Sequence, residues 1–222
     1  GPTSTYGGVP SIYSDAPATT GFVDIEVGGY AACAWDASGL HTCWGEDYDG
    51  LNQDPPVALH SVDIGSTAAC GIDDHGGVVC WGENSESTSV NDNIVSGAPS
   101  SFIDVSLGEN HVCGLSSIGR ISCWGVDDGV VGKDYGQLTD MPTDLGFVAL
   151  SGDLVHNCAI AADGSIECWG ANASNQTDSP AGSFVAIETF SNVNCAIDDL
   201  GAVDCWGYDN LSGVVSPPAL VD

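Results

Sequence analysis

Short runs of alternating apolar and polar residues recur along this 222-residue chain, and the clearest of them come in pairs. A period of two is the signal of a strand buried on one face. Trp35, Ile72, Leu115, Ile160 and Ile197 each stand two residues after a cysteine, and His41, Val78, Ile121, Ile166 and Val203 each stand two residues before another. The first cysteines are Cys33, Cys70, Cys113, Cys158 and Cys195; their partners, ten residues on, are Cys43, Cys80, Cys123, Cys168 and Cys205. An antiparallel register that sets Cys33 opposite Cys43 also sets Trp35 opposite His41, and the other four units obey the same rule. Each pair of runs therefore predicts a β-hairpin. That register leaves a three-residue loop ending in Gly39, Gly76, Gly119, Gly164 or Gly201. Such a loop calls for a left-handed residue, which glycine supplies without steric cost. Directly opposed Cα atoms lie about 4.5 to 5.5 Å apart, within reach of a disulfide, so every bridge is expected inside its own hairpin.

Beside the first cysteine the hairpins carry only Ala34, Gly71, Gly114, Ala159 or Ala196, small enough to admit a neighbouring sheet. After the second cysteine comes a bulky Trp44, Trp81, Trp124, Trp169 or Trp206, always followed by glycine. A further short strand precedes each hairpin, beginning at Phe22, Val62, Phe102, Phe147 and Phe184. Three strands per unit, at spacings of 37, 43, 45 and 37 residues, are the signature of a β-propeller blade. The expected fold is all-β, one domain over residues 1–222. Its units run approximately 6–45, 46–82, 83–125, 126–170 and 171–207, with a closing segment at 208–222.

The units resemble the repeat of the regulator of chromosome condensation superfamily, best echoed by Phe102 to Gly125 and by Asp134 to Leu138. The glycine five residues before the first cysteine is kept at Gly28, Gly65 and Gly108, but Asp153 and Phe190 replace it in the last two units. The Gly-Gln-Leu loop survives cleanly only at Gly136-Gln137-Leu138. Members of that superfamily typically have seven blades. Five units leave two architectures, a closed five-bladed ring or a fragment of a seven-bladed one. The two chain ends overlap in repeat phase, with Tyr6-Gly-Gly resembling Tyr135-Gly-Gln and Leu220-Val-Asp standing where a sixth first strand would start; this favours the closed ring. The resemblance also suggests nucleotide exchange on a small GTPase, which a disulfide-bearing acidic chain fits poorly.

Ten paired cysteines argue for an oxidising compartment, hence secretion or cell-surface display. Gly1-Pro2 reads as a protease scar. No apolar run approaches the roughly 18 residues that span a bilayer, so membrane insertion is not expected. Charge then narrows the partners: 31 acidic residues face only Arg120 and Lys133, for a formal net charge of −29. Such a surface repels nucleic acid and anionic headgroups, and it suits a saline habitat in which screening removes self-repulsion.

Candidate chemistry is sparse. With all cysteines in bridges no thiol nucleophile is left, the five histidines are scattered, and no hydrolase, metalloprotease or phosphate-loop motif occurs. A catalytic role is therefore not expected, and no cofactor is required. The densest carboxylates are Glu46, Asp47 and Asp49 in one loop and Asp127, Asp128 and Asp134 in another, oxygen ligands suited to calcium if the loops share a face. The loops after each Trp-Gly vary while the hairpins do not, and they hold Tyr48, Tyr135 and Tyr208, aromatics suited to an interface or a sugar. The leading expectation is a non-catalytic binding or display module of a larger extracellular protein, with a protein or glycan ligand. A lectin-like propeller and an inhibitor of a secreted enzyme are the alternatives.

Overall fold

The computed structural model describes residues 16–46, 50–55, 57–65, 68–82, 101–109, 111–125 and 135–208. They form five three-stranded antiparallel sheets, and no helix occurs among them. Blade one is β1 (Phe22–Val27), β2 (Ala31–Asp36) and β3 (His41–Gly45); blade two is β4 (Val62–Ile64), β5 (Ala68–Ile72) and β6 (Val78–Gly82). Blade three is β7 (Phe102–Leu107), β8 (His111–Ser116) and β9 (Ile121–Gly125), and blade four is β10 (Phe147–Asp153), β11 (His156–Ala161) and β12 (Ile166–Gly170). Blade five is β13 (Phe184–Phe190), β14 (Val193–Asp198) and β15 (Val203–Gly207).

Every hairpin has the expected register: Cys33 faces Cys43 and Trp35 faces His41, and the same pairing recurs in the other four. Each pair is a disulfide, with Cα atoms 4.0 to 4.1 Å apart, closer than the ordinary cross-strand distance. The turns follow from local chemistry. In blade one the Asp36 and Leu40 backbones pair, and the Asp36 carboxylate accepts the amides of Ser38 and Leu40. Asp73 and Asp198 do the same for their own loops, and the Ser116 hydroxyl serves in blade three. Hydrogen bonds, first from the Ser38 hydroxyl to Asp36 and first from the Gly77 amide to Asp73, hold those two carboxyls below the usual range. Part of the acid load is thus turn chemistry.

The five loop glycines have φ values of 78°, 76°, 73°, 85° and 86°. Gly119 and Gly201 separate two costs of replacing them. A Cβ on Gly119 would lie 2.5 Å from the backbone nitrogens of Gly146 and Phe147, whereas one on Gly201 would meet nothing within 4 Å. Gly201→Ala is expected to cost about 1 kcal/mol from backbone strain alone, and Gly119→Ala about 3 kcal/mol because strain and clash add. Urea unfolding of the two variants checks this; equal losses would rule out the clash.

Adjacent blades mate through one repeated arrangement. The disulfide face of each blade receives the first-strand face and tryptophan of the next: Cys70 and Ile72 meet Phe102, Val105 and Leu107, while Cys113, Leu115 and Ile121 meet Phe147, Leu150 and Trp169. Blades one and two, and four and five, pack the same way. The tryptophan also donates back to the preceding blade's loop, from Trp81 Nε1 to Leu51 O at 3.1 Å, Trp169 Nε1 to Gln137 O at 3.0 Å and Trp206 Nε1 to Gln176 O at 3.0 Å. The small residue beside the first cysteine has another use than expected: a Cβ on Gly114 would sit 2.8 Å from the Phe102 ring of its own blade. That space is filled from within the blade. Four seams are packed, between consecutive blades, and the chain-terminal residues 1–15 and 209–222 on which the ring-phase overlap rests lie outside the described residues.

Candidate functional site: a carboxylate-lined central cavity

The first strands of all five blades surround a cavity of about 630 Å³. Its lining follows from the register. Glu26, Asp63, Ser106, Ser151 and Glu188 each stand opposite the first cysteine of their blade, so alternation puts all five on the disulfide face of their sheets, where, on the first strands, they line the cavity. Asp104, two residues before Ser106, and Asp153, two after Ser151, join them.

These side chains tie neighbouring blades together. Asp63 Oδ2 accepts the Leu107 amide at 2.6 Å and lies 3.1 Å from the Ser106 hydroxyl. Ser106 Oγ in turn accepts the Gly152 amide at 2.7 Å, and Ser151 Oγ accepts the Thr189 amide at 2.9 Å. In blades two, three and four the same position therefore receives a backbone N–H of the next blade. The Ser61 hydroxyl also donates to Asp104 Oδ1 at 2.6 Å, and Asp153 Oδ2 accepts the Ser191 amide at 2.6 Å.

Enclosure works against the charge of these acids. Burial pushes the Asp63 carboxyl up to about 7, against the Leu107 amide that favours its ionised form, and the nearby Glu26 adds to the rise. Burial also raises Asp104, Glu26 and Glu188, with Glu188 acting on Glu26 and Asp104 on Glu188. Several acids around the cavity thus compete to ionise, and a positive group arriving there would relieve that competition.

Histidines occupy the seams instead. His111 Nε2 donates to Asn157 Oδ1 at 3.0 Å across blades three and four, and His156 Nε2 to Asn194 Oδ1 at 2.7 Å across blades four and five. Both histidines are fully buried, with Nδ1 unpartnered. Burial lowers His111 to about 4, opposed by the Asn157 bond, and lowers His156 as well. The unfolded chain, with histidine near 6.5, binds protons that the folded His111 refuses until about pH 4. This contribution is fully present above pH 6.5 and is lost as pH falls towards 4. His111→Gln is expected to flatten part of the acid limb of a stability-against-pH curve; an unchanged limb would exclude His111 as its source.

Of the sequence-derived candidates, Tyr135 and Tyr208 are exposed, at different positions of their units, and neither lines the cavity. The Tyr135 amide bonds Gln137 Oε1 and the Tyr208 amide bonds Asn192 O, so their backbones are fixed. Glu46 follows β3, with its amide on Tyr30 O. Tyr48, Asp47, Asp49, Asp127, Asp128 and Asp134 lie outside the described residues. Among the described residues no three His, Cys, Asp or Glu side chains converge as a metal site would require. Glu26, Asp63, Asp104 and Glu188 were not singled out from the sequence. A signal existed, since the alternation in Phe22–Val27 and Phe102–Leu107 puts a carboxylate on the polar side of a strand that a propeller places at its axis.

Residues 102–137 match the regulator of chromosome condensation (RCC1) repeat. None of the curated proteins matches the chain. Among solved structures, the CRINKLY WD40 ectodomain of the Arabidopsis thaliana receptor kinase ACR4 is 26% identical, with 86% of this chain and 66% of that one covered at a TM-score of 0.65. The ectodomain of the Physcomitrella patens receptor kinase CR4 is 23% identical, covering 84% and 50% at 0.67. Prp20p from Saccharomyces cerevisiae, whose structure was described with its binding to Gsp1p and histones, is 14% identical, covering 84% and 58% at 0.68. The chain spans half to two thirds of the length of these structures. The described residues form five three-stranded blades with one disulfide stapling the hairpin of each, an all-β propeller similar in fold to these structures, in which residues 102–137 match the RCC1 repeat.

Proposed function

We propose that this propeller is a non-catalytic binding module of an extracellular or cell-surface protein, and that its ligand is a cationic protein segment engaging the carboxylate-lined cavity and the acidic surface around it. The observation that carries the reading is that Glu26, Asp63, Asp104 and Glu188 all line one cavity in a chain of net charge −29. A Lys or Arg side chain arriving there would replace acid–acid repulsion by pairing, in surroundings that strengthen it. The five disulfides and the likeness to two receptor-kinase ectodomains support the extracellular placement. No helix among the described residues is long and apolar enough to cross a membrane.

The test is titration of the protein with a panel of Lys- and Arg-containing peptides at several salt concentrations, beside Glu26→Gln/Glu188→Gln. Binding that the double variant weakens at least tenfold at fixed ionic strength is the expected result. Binding that follows net charge alone, unchanged in the double variant, would remove the cavity from the reading. Turnover of an ester, glycoside or peptide, lost on substituting one of these acids, would overturn the non-catalytic part.

A further inference from the structure

The first strand of four blades is interrupted at the same place. Pairing skips one residue between Phe22 and Asp24, Phe102 and Asp104, Phe147 and Ala149, and Phe184 and Ala186. The skipped residues, Val23, Ile103, Val148 and Val185, are all aliphatic and between 56% and 63% exposed. Burial does not require an aliphatic side chain there, because by register the same place in blade two belongs to the exposed His60. The strand starts meet hairpin turns: Gly119 O accepts the Phe147 amide at 3.2 Å, Gly164 O the Phe184 amide at 2.8 Å, and Ser183 O the Asp199 amide at 3.1 Å. Those contacts bring the exposed turn residues Ile118 and Leu200 to the same end of the blades as Val148 and Val185. Carboxylates border these side chains: Asp144, Asp163 and Asp199 are exposed, and Arg120 is the one Lys or Arg among the described residues. None of these residues lines the central cavity.

Scattered exposed aliphatics are ordinary, but one repeat position left apolar in four blades sets them at one end of the fold. We propose that the turn end of blades three to five is a docking face for a partner protein segment that is apolar along one side and carries Lys or Arg at its margins. The choice of partner rests on charge. Asp163 accepts the Ser165 hydroxyl and amide within its own turn, and these bonds, the hydroxyl first, hold its carboxyl below the usual range and so ionised at neutral pH. A second copy of the chain would press such margins together, carboxylate against carboxylate, in molecules of net charge −29. A basic margin turns that repulsion into attraction and steers the approach, while the aliphatics supply the buried area. The contact lies at the turn end, apart from Glu26 and Glu188, so it stands whether or not the cavity takes a ligand.

The probe is an amphipathic helical peptide of Leu and Lys, compared at one ionic strength with the same residues in scrambled order. The ordered peptide is expected to bind at least about tenfold more tightly. Val148→Ser/Val185→Ser, which leaves the charge unchanged, should remove most of that preference while the thermal midpoint stays within about 2 °C of the parent's. Leu200→Ser, in a turn and outside the strands, should reduce it severalfold, so the face is tested even where a strand substitution disturbs the fold. Equal binding of the two peptides would overturn the proposal, since charge alone would then attract them. So would a preference kept in full by both variants, or one lost in Glu26→Gln/Glu188→Gln and kept in Val148→Ser/Val185→Ser, which would move the peptide to the cavity. A parent chain that sediments as an oligomer dispersed by Val148→Ser/Val185→Ser would make a second copy the occupant. Flotation with phosphatidylcholine vesicles, abolished by the same variant, would make it a lipid surface; either result overturns the proposal.

Discussion

Reduction of the five disulfides is expected to unfold the propeller at ambient temperature. Each bridge closes a loop of sequence separation 10, which in the chain-entropy account restricts the unfolded ensemble by about 2 to 3 kcal/mol. Five bridges in separate blades act nearly independently, giving about 10 to 15 kcal/mol, against a total stability of roughly 5 to 15 kcal/mol for a domain of ordinary size. The sulfurs also fill the seams, where Cys33, Cys70, Cys113 and Cys158 are buried, so the separated thiols would disturb packing as well. Far-UV circular dichroism during a thermal scan, with and without a strong thiol reductant, is the measurement. A reduced chain that still melts cooperatively within a few degrees of the oxidised one would refute the expectation. Position should matter: Cys158→Ala/Cys168→Ala, in the packed seam between blades four and five, should cost more than Cys195→Ala/Cys205→Ala in blade five, where both cysteines are only half-buried.

Asp63→Asn should stabilise the protein at alkaline pH. The folded carboxyl holds its proton to about 7 while the unfolded one releases it near 3.8, so the folded state binds the extra proton between those values. Wild-type stability from this residue therefore falls as pH rises from about 4 to about 7 and stays low above. The asparagine carbonyl can still accept the Leu107 amide without carrying charge. The variant should gain about 2 to 4 kcal/mol at pH 8 and little at pH 4. Urea midpoints at those two values decide it; an equal change at both would mean that packing, not ionisation, is responsible. His111 runs in the opposite direction between pH 4 and 6.5, so its acid lability should stand out more clearly once Asp63 is neutral.

Much of the fold could be read from the chain because the repeat states its own register. Two cysteines ten apart, with apolar residues two inside each and a glycine in the loop, allow one hairpin, and five copies make the blades. The cavity was harder to read. Asp63 is one of 31 acidic residues, and nothing local marks it; its role comes from the amide of Leu107, forty-four residues away in the next blade. The histidine–asparagine contacts were hidden for the same reason, since Asn157 and Asn194 meet their partners only across a seam. By contrast Asp36 and Asp73 act within their own loops, so their chemistry is local, and what obscured it was the abundance of other carboxylates.

Every covalent cross-link here lies inside one hairpin, and none joins two blades. Pulled from its ends, such a chain would yield at the seams and pay out length blade by blade, while each staple withheld the stretch between its cysteines. A module built this way can extend under load, keep its hairpins, and find its register again when the load is released.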